Sequence, residues 1–542
     1  MGILSGLKPE KVFYYFEELT KIPRGSYNEK AVSDYITAFA KERGFEVYQD
    51  SLNNVIIIRP SSVGRESDPA VILQGHIDMV CEKTTESKHD FMKDPLDIYI
   101  DSDFIKAKET TLGGDDGIAA AYMLAILDDP SVNAPRLECV FTTSEEVGME
   151  GASGLDVSVL QGRQLINIDS EEEGTFITGC AGGIRAEVRL PLEMERIDVV
   201  ASENTGTITS ADSISADSIS VGSKRVYVPA VIKVSGLLGG HSGSDIDKQK
   251  INADRLLART LLTLTNKGFY IKVSKMSGGG KENAIPFEST ADVFLDHSQI
   301  DEIKKTLAEL TETVRKEYKN TDGNGKIELI LKGEGELRIE SKAKAESKAS
   351  AESESKDVKE TETNNPYGDG LVMSDASLRK AIGLILAIPN GIIKMSGDIE
   401  GLVETSLNLG IMKVQDNELS LIYGLRSSVG SAKQALVDRV AIIAESLKAT
   451  ANFYNAYPAW EYKSESVLRE KMVSAYEDMF GKKPVVTVIH AGLECGLLAE
   501  KLPGLDAVSM GPDMFDIHTV NERLSISSAA RMYEYLLKVL EA

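Results

Sequence analysis

Apolar residues recur at helical spacing near the start of the chain, first at Phe13, Phe16, Leu19 and Ile22, then at Val32, Tyr35, Ile36 and Phe39. That period predicts two amphipathic helices between about Glu10 and Arg43, interrupted by IPRGSYNE. After Gly44 the period changes. Phe45 to Gln49, Asn54 to Arg59 and Ala70 to Gln74 are short β-rich runs divided by turn residues, and they read as strands. Gly117 to Asp128, GIAAAYMLAILD, is a strongly apolar helix, and Leu137 to Thr143 and Leu165 to Asp169 are apolar strands. The alternation predicts an α/β domain with a mixed, mostly parallel and largely buried sheet flanked by helices.

Beyond residue 185 the pattern differs. A strand, a helix from Ile251 to Asn266, two strands and a further helix fill 228–318, and a second strand-and-helix block runs from 371 to about 450. From Tyr457 the α/β character resumes, with strands at Val485 to Ile489 and Ala507 to Met510 and a last helix ending at Leu540. The expected division is 1–184 with 457–542 as one domain, and 185–456 as an inserted α+β domain. Two stretches stand out as mobile surface insertions: 192–222, with its tandem ADSIS, and 335–366. Residues 341–365 hold no aromatic residue and only Val358 among branched aliphatics, too little apolar surface to offset ordering entropy.

A length of 542 residues fits two domains, and 42% hydrophobic with 27% charged residues fits a folded chain. The net charge of −24 repels phosphate backbones and anionic lipid, so neither nucleic acid nor membrane is an expected partner. No apolar run approaches the roughly 20 residues of a membrane span. The opening residues lack a basic segment followed by an apolar core, so no signal peptide is expected and the location is expected to be cytoplasmic. Cys81, Cys139, Cys180 and Cys495 are scattered without a CxxC pair and are expected to be reduced.

Four segments set acids or histidines directly after an apolar strand or at a helix start: VILQGHIDMV (71–80), TLGGDDGIAAA (111–121), VFTTSEEVGMEG (140–151) and LINIDSEEEG (165–174). At the carboxyl ends of the strands of an open sheet these would converge, joined by DIHTVNERLS (516–525). His76, Asp115, Glu146, Asp169 and His518 would then supply two imidazoles and three carboxylates, a donor set suited to zinc or manganese. Two metals need a shared ligand, and a carboxylate can bridge where an imidazole cannot. Asp78 could orient His76 through its second ring nitrogen. Of the pair Glu145 and Glu146, one acid can bind metal while its neighbour takes a proton from water. Each motif alone has a plainer reading: Asp115 and Asp116 as charges at a helix N-terminus, Glu145 and Glu146 as a surface loop, His76 as a satisfied polar histidine. Five such segments in one order are harder to explain that way.

GHIDMV, LGGDDGIAAA, FTTSEEVGMEGA, INIDSEEEG, GGHSGSDI (239–246), NAIP (283–286), GLRSSVGS (424–431) and HAGLECG (490–496) occur in that order. Together they resemble the aminoacyl-histidine dipeptidases, a branch of the co-catalytic zinc peptidases that also include tripeptidases and aminoacylase-like enzymes. The resemblance implies a catalytic domain holding two Zn2+, with Mn2+ or Co2+ as substitutes, and an inserted lid domain used for homodimerisation. It implies His76 and Asp169 on one zinc, Glu146 and His518 on the other, and Asp115 between them, joined to Asp116 by a cis peptide. It further implies Asp78 orienting His76, Glu145 as general base and acid, and His241 polarising the scissile carbonyl, often from the partner subunit. Arg426 would clamp the free carboxylate of a small peptide substrate, and Asn283 would add an amide contact. The implied activity is hydrolysis of dipeptides by metal-activated water. N-acyl amino acid hydrolysis on the same scaffold is the alternative, and a protein that kept the fold and lost activity is a further one. The chain departs from the usual motifs at GGDDG, at NAIPFE and at TVNE after the last histidine. His490 and Glu494 fall in a motif of underived role, and His89 and His297 are expected to be plain surface residues.

Overall fold

The computed structural model describes residues 2–197, 200–201, 208–209, 226–332 and 370–542. The expected insertion 335–366 and most of 192–222 lie outside them. Two large sheets organise the chain. The first has eight strands in the order Glu46–Gln49, Val55–Arg59, Leu137–Thr142, Val71–His76, Gln164–Asn167, Asp506–Ser509, Thr175–Cys180 and Val485–Ile489. Its centre is parallel: Val71–His76 pairs in parallel with both Leu137–Thr142 and Gln164–Asn167, and Asp506–Ser509 runs parallel to Gln164–Asn167. The Val55–Arg59, Val71–His76 and Leu137–Thr142 strands are buried along their whole length, which is why they read as continuous apolar runs rather than alternating ones.

Helices cover both faces of this sheet. Glu10–Thr20, Lys30–Glu42, Gly114–Leu127, Val467–Phe480 and Ile526–Glu541 bring Phe13, Phe16, Ile118, Met472 and Leu536 into one core. Glu494–Lys501 packs Cys495 and Leu498 into a smaller core on strand residues Ile72 and Leu165. Gly114–Leu127 is buried on every side, as its uniformly apolar sequence requires. A small four-stranded sheet joins Ile98–Asp101 and Phe104–Ala107 to Arg523–Ser525 and Met514–Phe515, and so anchors the segment that carries His518. Strands of two to four residues leave little periodicity to read, and the sequence did not point to this sheet.

The chain leaves the first sheet at Cys180 and continues past Ala181 into Gly182–Pro191 of an eleven-stranded antiparallel sheet. It returns through Thr450–Tyr457, where Trp460 bridges back to Cys180. Alternating burial along most of Val226–Ser235 and the first half of Glu418–Ser427 shows one face packed. Helices Ala253–Asn266, Ile300–Glu317, Asp375–Ala387 and Gly430–Ser446 supply Leu257, Leu307, Ile385 and Val440 to the core on it. Asn252 caps the first of these, its side-chain oxygen accepting from the amides of Asp254 (3.1 Å) and Arg255 (3.2 Å). Two peripheral expectations can be checked directly. His297 is exposed, but His89 is not a plain surface residue: its ring packs edge-on to Phe91 at 4.6 Å between centroids and its Nε2 is buried.

Candidate metal centre

His76 is the last residue of its strand, Asp169 follows Gln164–Asn167 by two residues, and Glu145 and Glu146 follow Leu137–Thr142. Because these three strands are parallel neighbours, their carboxyl ends open on one edge. Asp115 reaches the same edge from a kink: it and Asp116 have non-helical backbone angles at the start of Gly114–Leu127, and the peptide between them is cis. His518 arrives on the loop tied down by the small sheet.

Asp115 sits between the two histidines. Its Oδ1 lies 3.0 Å from His76 Nε2 and its Oδ2 3.1 Å from His518 Nε2. His76 Nε2 is also 3.6 Å from Asp169 Oδ1, and His518 Nε2 is 3.0 Å from Glu146 Oε2. Three groups have ligand atoms within 4.8 Å of one another: Asp115, Glu146 and His518; His76, Asp116 and Asp169; and His76, Glu145 and Glu146. All five residues expected as ligands are therefore together, with Glu145 and Asp116 beside them. His76 is buried and His518 exposed, so the cluster opens to solvent on the His518 side.

The electrostatics follow from this crowding. Burial would lower the His76 imidazole, but Asp115, Asp169 and Asp78 outweigh it and hold it well above its ordinary value. Hydrogen bonding to Asp115 and Glu146 holds His518 up to about 11. Burial pushes Asp169 up to about 6 against the pull of His76. It also drives Glu145 well above the ordinary carboxyl range, with Asp169, Glu494 and Glu146 adding and His76 opposing.

Asp78 does more than approach His76 Nδ1 at 3.4 Å. Its carboxylate accepts from Ser26 Oγ (2.8 Å) and from the amides of Glu145 (3.1 Å) and Glu146 (3.3 Å), so it holds the histidine and the two-glutamate loop at once. Below the cluster, Glu494 Oε2 accepts from Gln74 Nε2 and Thr142 Oγ1, both at 2.6 Å, while Gln74 Oε1 accepts from Asn167 Nδ2 at 2.7 Å. This fully buried ladder ties together the strands that carry His76, Glu145, Glu146 and Asp169. Burial raises Glu494 to about 8.

Of the remaining candidates, Arg426 lies on the second sheet, while His241 and Asn283 belong to a separate two-stranded ladder and its approach. Gly240–His241 pairs with Ala284–Ile285, and the Ser242 amide donates to the Asn283 carbonyl at 2.8 Å, so the GGHSG and NAIP motifs form one small unit. The Asn283 side chain is exposed. His241 Nδ1 accepts from the amides of Gly243 (3.3 Å) and Ser244 (3.2 Å), and burial with Arg426 and Arg185 lowers its pKa. Arg426 is 5% exposed; its Nη1 donates to Tyr457 Oη at 3.0 Å, and its Nε has no hydrogen-bond partner among the described residues. His490 spans the two sheets, its Nε2 2.7 Å from Ser406 Oγ, and burial beside Arg426 lowers it to about 4. Sequence reasoning missed Tyr457, the Gln74–Thr142–Asn167 ladder, Arg24 and Glu522.

The model for peptidase family M20/M25/M40 matches residues 72–542. The cytosol non-specific dipeptidase of Escherichia coli (strain K12) is 33% identical over 541 residues, covering 100% of this chain and 99% of the relative. The crystal structure of an aminoacylhistidine dipeptidase from Vibrio alginolyticus superposes with a TM-score of 0.80 at 31% identity, over 99% of this chain and 97% of that one. An aminopeptidase PepT structure from Bacillus cereus shares the fold at TM-score 0.54 and 14% identity, over 99% and 98% of the two chains.

Proposed function

Because the chain belongs to peptidase family M20/M25/M40, and so is a peptide-bond hydrolase, we propose that it is a cytosolic dinuclear zinc dipeptidase acting as a homodimer. The observation that carries the reading is the carboxylate of Asp115, which turns one oxygen to each of two histidines, His76 and His518. A carboxylate so placed suits a ligand shared by two cations, His76 and Asp169 completing one site and Glu146 and His518 the other. Imidazole and carboxylate donors without thiolate fit zinc, with manganese or cobalt as substitutes. When bound, two such ions would acidify a water and polarise the peptide carbonyl.

The chain's own residues do the rest. Glu145 takes the proton of the attacking water and returns it to the leaving amine, and a carboxyl with a raised pKa suits a group that must do both. Asp78 keeps His76 in register through Nδ1 and holds Glu145 by its amide. His241, with Nδ1 occupied by backbone amides, presents Nε2–H as a donor to the developing oxyanion. Arg426, buried and with its Nε unpartnered among the described residues, takes the substrate's free carboxylate in a planar fork, and Asn283 borders it. The unit 185–456 serves as lid and dimerisation domain on a catalytic unit of 1–184 and 457–542. Leu238 and Phe287, 61% and 58% exposed beside the His241 turn, suit an apolar contact with a second subunit.

The relatives' names support dipeptides as substrates. A panel of dipeptides beside N-acetyl amino acids and amidated dipeptides tests this. Dipeptides with both termini free are expected to turn over, N-acetyl amino acids and amidated dipeptides far more slowly. Preference for the N-acetyl amino acids would overturn the assignment.

A further inference from the structure

Two buried charges of opposite sign flank the loop that carries Asp115, and neither has a part in the chemistry above. Arg24, 2% exposed, comes from the turn between the first two helices. Its Nη1 donates to the carbonyls of Ile77 (3.1 Å) and Asp78 (3.0 Å), and its Nη2 to the carbonyl of Gly113. Glu522, 3% exposed, lies four residues beyond His518. Its Oε2 accepts from the amides of Leu112 (2.7 Å) and Gly113 (3.0 Å), and its Oε1 from those of Gly114 (2.7 Å) and Asp115 (3.4 Å).

The loop therefore shows its N–H groups to the carboxylate and a carbonyl to the guanidinium. Each buried ion is solvated by backbone dipoles, and the opposite charge stands across the peptide. Space for the guanidinium comes from two glycines. Gly113 has φ +66°, and a Cβ there would stand 2.6 Å from Arg24 Nη2; one on Gly117 would stand 2.5 Å from the same atom. The two charges join three segments that carry candidate ligands, 76–78, 112–115 and 518–522, and Asp78 extends the frame to Glu145 and Glu146. Rigid support of this kind is what a metal site needs in order to exist before its metals arrive.

We propose that Arg24 and Glu522 are positioning residues, a buried clamp of opposite charges that sets Asp115 between His76 and His518. The proposal rests on the reading of Asp115 as the ligand shared by two metals. Removing either half leaves the loop held on one side only, so the two oxygens of Asp115 no longer meet both histidines, and both metals weaken together.

The test is titration of the metal-free full chain with Co2+, read by visible absorption and by calorimetric stoichiometry, for Arg24→Lys, Glu522→Gln and Asp115→Ala beside wild type. Both clamp variants are expected to bind the two ions at least tenfold more weakly, in step, with an altered absorption band. Loaded at saturating Co2+, they should show a lower kcat with KM within twofold. The combined variant should lose little more than the worse single one, because both act on one loop. Gly117→Ala guards against misfolding: it favours the helix and removes no charge, yet it crowds Arg24 and should weaken Co2+ in the same direction. Wild-type Co2+ affinity and spectrum in the clamp variants and in Gly117→Ala, with at most a lower melting temperature, would overturn the clamp. If Asp115→Ala loses both ions while those variants keep them, the clamp fails and the shared-ligand reading stands. If Asp115→Ala loses only one, the shared-ligand reading fails first and takes the proposal with it.

Discussion

The acids and histidines at the edge of the first sheet and the candidates of the inserted region reach their places by different means. His76, Glu146 and Asp169 are brought together by parallel strands ending side by side, Asp115 and His518 join them from a helix kink and a loop, and Asp78, Glu494 and Glu522 satisfy the backbone and side chains behind them. His241 and Arg426 lie on antiparallel strands and Asn283 just ahead of one; His241 takes the Gly243 amide and Arg426 the Tyr457 hydroxyl. The first group is a site already assembled by packing. The second is more open, with the Asn283 side chain exposed and Arg426 Nη1 resting on the Tyr457 hydroxyl. The same contrast shows in buried carboxylates: Glu522 accepts four amides, while Asp254 of the second sheet's core has neither oxygen bonded among the described residues and lies with Ser289 against Gly278. Preorganisation is concentrated at the candidate metal centre.

The largest expected effect falls on the assembled site. Glu145→Gln keeps the shape and removes the proton carrier, so turnover should fall by about 10³-fold while both metals stay bound. Metal analysis and steady-state rates check it; a rate near wild type would remove Glu145 as the base. On the second sheet the expected loss is smaller and of another kind. Arg426→Met should raise KM by about 30-fold with little change in kcat, since a carboxylate clamp binds ground and transition states alike. A pure kcat loss would place Arg426 in the reaction rather than in binding.

His241 sharpens the comparison further, because its donors could serve its own chain or the neighbour. Glu145→Ala and His241→Ala should each be nearly inactive alone. After subunit exchange, random pairing makes about half the dimers mixed, each with one complete site, so about a quarter of wild-type activity should return. Demonstrated exchange with no recovery would confine His241 to its own subunit. The smallest effect concerns stability. Burial raises Asp254 from its ordinary 3.8 to about 7, so between those values the folded chain keeps a proton that the unfolded chain has released. The contribution of this group to stability is full below about pH 4 and declines as pH rises towards 7, by at most about 1.4 kcal/mol per pH unit. Asp254→Asn should remove that slope in urea denaturation followed from pH 4 to 8; an unchanged slope would assign it to other groups.

Much of this was legible in the sequence for a local reason. Three strands of the first sheet's centre are apolar runs that lead directly into acids or a histidine, so His76, Asp169 and the Glu145–Glu146 pair marked strand ends before any fold was known. The helix Gly117 to Asp128 was equally plain: Asp115 and Asp116 have non-helical backbone angles, so regular helix begins just after them and runs to Leu127. Thr175–Cys180 and Gly182–Pro191 were hidden by the GCAGG run between them, which reads as a turn. Arg24 and Glu522 could not be found that way. Their partners lie 89 and 410 residues off, and no periodicity says where a guanidinium or carboxylate will point. The run IPRGS and the NE after His518 were visible as segments; their meaning is tertiary.

The most direct test counts metal and activity on one preparation. Purified chain is assayed for bound metal per subunit and for dipeptide turnover, stripped with a chelator, assayed again, and reloaded with Zn2+. The account predicts two ions per chain, turnover lost as they leave, and recovery when two are restored. Full dipeptide turnover by chain stripped of metal would contradict it.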